Sequence, residues 1–150
     1  MPVSEERADV LVLDVPAGGD YLSVVPTATA AVATRLGFSL EAIEDLRAAV
    51  NAAVTLLVSQ GSGRRRPFKP RGEDDGQLHC RLEVGFEHLQ IVLSRPGSES
   101  PDSNAYQWQV LRALADEVES QSTPAAATIR ILQQRPPTEG DADTEAHRLH

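Results

Sequence analysis

GFSLEAIEDLRAAVNAAVTLLVSQG, residues 37 to 61, is the stretch on which the fold turns. Leu40, Ile43, Leu46, Val50, Ala53, Val54 and Leu57 recur in steps of three and four, which lines them along one side of a helix. A stripe of that width is a core face. Ser39 is placed to accept a hydrogen bond from a free N–H of the first turn, and Glu41, Glu44 and Asp45 sit near the positive end of the helix dipole. Gly61 is the expected left-handed stop.

Toward the amino terminus, ADVLVLDV (residues 8 to 15) is short and rich in β-branched residues, a strand closed by Pro16, Gly18 and Gly19. Tyr21, Leu22, Val25, Val32 and Leu36, set among alanines, predict a helix that Asp20 caps and that ends at Gly37. Pro26 conflicts with its interior, so either a kink there or a start at Thr27 satisfies the pattern.

On the other side, SQGSGRRRPFKPRGEDDG has no apolar period and reads as a loop. Arg64, Arg65, Arg66, Lys69 and Arg71 form a basic block followed at once by Glu73, Asp74 and Asp75. Those cations are candidate contacts to an acidic protein segment or to RNA; the plainer reading is a solvated loop whose opposite charges cancel. QLHCRLEV (77 to 84) and HLQIVLS (88 to 94) alternate with a period of two and are joined by residues 85 to 87, which predicts a hairpin. His79 and His88 fall on the polar parity and read as surface residues, with no carboxylate or Cys at metal spacing.

After a polar loop, PGSESPDSN (96 to 104), AYQWQVLRALADEVE (105 to 119) predicts a third helix with Trp108, Leu111, Leu114, Ala115 and Val118 on one side. Trp108 is either a core residue or a partner anchor. Residues 127 to 132 predict a last strand, residues 1 to 8 a flexible lead, and residues 134 to 150 a disordered acidic tail.

The 150 residues suffice for one domain, and 41% hydrophobic content suits a soluble one. No apolar run approaches the roughly 20 residues that span a bilayer, and MPVSEERADV lacks the apolar core of a signal peptide, so a cytoplasmic location is expected. Cys80, the one cysteine, has no disulfide partner in the chain and reads as a small strand residue. A net charge of -8 disfavours direct nucleic-acid binding and suits a basic protein partner.

EDLRAAVNAAVTLLV resembles the first nucleotide-box helix of the bacterial anti-sigma factor serine/threonine kinases, in the GHKL ATPase superfamily that also holds histidine kinases, gyrase and the MutL mismatch-repair proteins. LRALADEVE is similar to the family's helix after the nucleotide lid, and Tyr21-Leu22 to its aromatic-Leu pair. The resemblance implies an α+β two-layer sandwich of the Bergerat type over residues 9 to 133, with a mixed, mostly antiparallel sheet covered on one face by helices.

In that family the helix carries a Glu general base and, four residues on, an Asn that holds Mg²⁺. Aligned on Asp45, Leu46, Arg47, Ala49, Val50, Ala53 and Val58, those positions are Ala52 and Leu56. Neither can move a proton or offer the oxygen ligand that Mg²⁺ demands. A shift in register would bring Asn51 to the metal position but Arg47, which stays protonated, to that of the base. The carboxylates Glu44 and Asp45 lie about two turns away from either and read as surface charge.

The family's adenine-reading Asp-x-Gly-x-Gly becomes Arg95, Gly97 and Glu99, and a cation cannot accept from the adenine amino group. Its phosphate cradle, Gly-x-Gly-Leu, becomes Ala105, Tyr106, Gln107 and Trp108, with the two aromatic rings expected to fill the space. No catalytic residue, metal or cofactor is therefore expected. The resemblance implies a sigma factor and a STAS-domain anti-anti-sigma factor as partners, and a homodimer. Two alternatives stand beside it: an active serine kinase using ATP and Mg²⁺, and an RNA or protein adaptor acting through residues 64 to 71.

Overall fold

Alternation in residues 77–84 and 88–96 builds the centre of the sheet, because each strand then has one face fit for burial and one for water. The computed structural model describes residues 9–62, 76–97 and 101–137. In chain order these form β1 (Asp9–Pro16), α1 (Val24–Arg35), α2 (Leu40–Ser62), β2 (Gln77–Val84), β3 (His88–Pro96), α3 (Tyr106–Leu114), β4 (Glu117–Ser122) and β5 (Ala126–Gln134). The strands pair in the order β1-β2-β3-β5-β4. The α+β sandwich is as expected; every described pairing is antiparallel, where the expectation allowed a mixed sheet.

Leu78, Cys80 and Leu82 of β2, Leu89, Ile91 and Leu93 of β3 and Ala127, Ile129 and Ile131 of β5 are all buried and form the floor of the core. Their register matches like with like: Leu82 faces Ile91, Cys80 faces Leu93, and Ile91 in turn faces Ile131. β1 is an edge strand on which Val15 is buried while Val10, Leu11 and Val12 stay exposed.

The helices lie over that floor. Leu46, Ala49, Val50, Ala53, Val54 and Leu57 of α2 are buried, and α2 touches α1, α3, β3 and β5. Ser39 Oγ accepts from the Ala42 N–H at 3.1 Å, the expected cap. Leu40 departs from the predicted stripe; as the first helical residue it is 76% exposed. The helix also continues through Gly61 to Ser62, so Gly61 is not its stop.

α1 starts at Val24, neither at an Asp20 cap nor at Thr27. Pro26 sits in the first turn, where its missing N–H would have no partner inside the helix anyway, so no kink is needed. Gly37, at φ 84°, ends α1 as expected, and its N–H reaches Thr34 O at 3.1 Å.

The predicted third helix is cut in two. α3 stops at Leu114, Ala115 is extended, and residues from Glu117 form β4, so Val118 pairs with Ile131 in the sheet. β5 enforces this corner: Gln133 Oε1 accepts the Asp116 N–H at 2.8 Å, and Asp116 Oδ2 accepts the Gln134 N–H at 2.7 Å. Long-range pairing thus overrides local helix propensity. β5 also includes Gln134, which the sequence alone assigns to the tail.

Candidate functional site

α2 and the end of β3 bring together the positions at which the sequence predicts lost nucleotide chemistry. Ala52 and Leu56 lie on the inner side of α2, 6% and 1% exposed, in the same apolar cluster as Trp108 and Leu111 of α3. A methyl group and an isobutyl group there offer neither a ligand nor a base, and they are packed against neighbours rather than lining open space. Asn51 points outward and is exposed; Glu44 is exposed and lies 3.9 Å from Arg47, a surface pair.

Arg95 is a polar group that the fold turns into this junction. It continues the inward parity of Leu89, Ile91 and Leu93. Its Nη1 donates to Leu57 O at 3.0 Å and to Val58 O at 2.8 Å, near the carboxyl end of α2. A cation is favoured there by the negative end of the helix dipole, and the last turn of α2 holds no basic residue of its own. The resemblance puts an adenine-reading carboxylate at this position, and sequence reasoning misses the engagement of the guanidinium. The signal that could have found it is the strand parity, read one step past Leu93.

Gly97 follows in a turn at φ 72° and donates its N–H to Ala125 O at 2.8 Å. An added Cβ would meet nothing within 4 Å, so glycine serves the backbone angle here rather than a close approach. Ala105 is the extended residue before α3, and Gln107 is half-buried.

The two aromatic rings part company. Trp108 is 7% exposed and its Nε1–H donates to Asp102 O at 2.8 Å, while the Arg112 guanidinium lies 5.9 Å from the ring centre. It packs inside the sandwich instead of projecting as a partner anchor. Tyr106, 68% exposed, turns to water and fills no interior space.

Arg64, Arg65, Arg66, Lys69, Arg71 and Glu99 lie outside the described residues. Cys80 is buried, and desolvation pushes its thiol from an ordinary 9.0 up to about 12, which keeps it protonated and inert. His79 meets Asp14 across the β1–β2 pair on the outer sheet face, and His88 is exposed. Among the described residues no His, Cys, Asp and Glu cluster could hold a metal, and no helix is long and apolar enough to cross a membrane. A shallow hollow of about 410 Å³, lined by Glu119, Ser120, Gln121, Thr128 and Arg130, lies along β4 and β5 and involves no residue of the α2–β3 junction.

No protein-family model matches the chain. Proteins named serine-protein kinase RsbW do. The one from Listeria monocytogenes serotype 4a is 36% identical over 90 residues, 60% of this chain and 52% of the relative. That of Bacillus pumilus is 29% identical over 92 residues, covering 61% of this chain and 53% of its own, and that of Bacillus subtilis 26% over 93 residues, covering 62% and 53%. The chain thus spans about half the length of the curated relatives it matches. A crystal structure of the RsbU and RsbW domains of a Mycobacterium tuberculosis protein shares the fold, with a TM-score of 0.63 at 14% identity, over 87% of this chain and 34% of that one.

Proposed function

We propose that this relative of the serine-protein kinase RsbW proteins is a cytoplasmic anti-sigma regulator that works by protein contact, with ATP binding and phosphoryl transfer lost. Its partners would be a sigma factor, a STAS-domain anti-anti-sigma factor, or both, and a second copy of itself. The observation that carries this reading is the burial of Ala52 and Leu56, 6% and 1% exposed, at the two positions where the resembled kinases keep their base and their metal ligand. Phosphoryl transfer needs a metal to bridge the phosphates and a group to receive or orient the nucleophile's proton. Neither position can supply one, and Arg95, where those kinases read adenine, is engaged with Leu57 O and Val58 O.

What remains is a scaffold with an acidic surface, at a net charge of -8, suited to a partner that carries cationic surfaces. Titration calorimetry of the whole chain with Mg-ATP should record no binding up to about millimolar nucleotide. Purification from its own cells should bring a sigma factor with it, without added nucleotide. Micromolar uptake of Mg-ATP, or labelled phosphate passed to a STAS-domain protein, would overturn the reading.

A further inference from the structure

We infer that Arg95 is a built-in strut that joins β3 to the carboxyl end of α2, so that the folded geometry of this junction does not depend on a bound nucleotide. The inference rests on the loss of ATP binding proposed above. In the resembled kinases a nucleotide spans the helix that holds its Mg²⁺ and the strand end that reads its adenine. Here a side chain of β3 makes that span directly, from Nη1 to the carbonyl oxygens of Leu57 and Val58 at 3.0 and 2.8 Å.

Three independent features favour this bond. The parity of β3 aims Arg95 inward with Leu89, Ile91 and Leu93. A carbonyl oxygen has two lone pairs, so each can serve the helix ladder and still accept from the guanidinium. The last turn of α2 contains no basic residue, and the cation that its dipole favours comes from β3 instead. A ligand that comes and goes makes a switch; a strut attached to the chain does not.

Hydrogen exchange on the full chain, with and without Mg-ATP, tests this in the wild type, Arg95→Met and Arg95→Lys. Wild type should show slow exchange at the amides of residues 59–62 that nucleotide leaves unchanged. Arg95→Met should speed those amides roughly tenfold or more while α1 keeps its protection. Arg95→Lys, which retains the charge without the planar fork, should fall between the two, and it decides the matter if Arg95→Met does not fold. Unchanged protection in these variants, with wild type still indifferent to Mg-ATP, would overturn the strut alone. Nucleotide-dependent protection in wild type would overturn the proposed loss of ATP binding, and the inference with it.

Discussion

The two ends of α2 are held by different means. At the amino end Ser39, the residue just before the helix, accepts the Ala42 N–H at 3.1 Å, a bond between residues three apart. At the carboxyl end the support comes from Arg95, 38 and 37 positions beyond the carbonyls it meets. The first is a local device whose worth is set by the turn that contains it. The second exists only because β3 is delivered next to α2, so its worth depends on the whole sandwich. Between them lie Ala52 and Leu56, whose side chains are buried in the apolar core.

The largest effect should come from the middle of the helix. Leu56→Asn places an amide where 1% of the side chain meets water, and should cost roughly 3–5 kcal/mol from lost apolar burial and an unpaired polar group. Denaturant unfolding measures this, and added Mg-ATP should restore none of it. A variant as stable as wild type would mean that position 56 opens onto space, and the contrast between a packed middle and tethered ends would fail.

A smaller effect tests the floor under the helix. Cys80 is held protonated in the folded state with its thiol pushed up to about 12, while in the unfolded chain it ionises near its ordinary 9.0. The folded state then binds more protons than the unfolded state between those values, so stability falls as pH rises through that window. The loss should be about 1 kcal/mol by pH ~10, and Cys80→Ala should remove that part of the pH dependence. Rapid native-state alkylation of Cys80 at pH ~8 would contradict the burial behind this.

The smallest effect sharpens the comparison of the two ends. Ser39→Ala removes a cap that is exposed and local, and should cost about 0.5–1 kcal/mol in thermal or denaturant unfolding. Exchange should quicken in the first turn of α2 and leave residues 59–62 as they were. If loss of Ser39 loosens both ends equally, the helix responds as one unit and the distinction between a local cap and a distant strut disappears.

Much of the fold was legible because burial has a period. Leu78, Cys80 and Leu82 with Leu89, Ile91 and Leu93 mark two strands and their inner face before any contact is known. The same logic, applied to α3, places Trp108 and Leu111, three apart, on its buried face. β4 was hidden: Glu117 to Ser122 has little strand propensity, and only its pairing with β5 makes it a strand. At the candidate site the identities of Ala52 and Leu56 are readable in the resemblance, because a missing functional group is a property of one residue. The engagement of Arg95 is not, because a hydrogen bond belongs to two.

Local pattern was enough to set the α+β class, the course of α2 with its Ser39 cap, and the hairpin of β2 and β3. Tertiary packing decided the end of α3, the existence of β4, the outward turn of Tyr106 and the task given to Arg95. The division has one cause. Periodicity and capping act over a turn or a pleat and are written in neighbouring residues, whereas a strand edge or a partly buried guanidinium takes its partner from whatever distant segment the fold brings within about 3 Å.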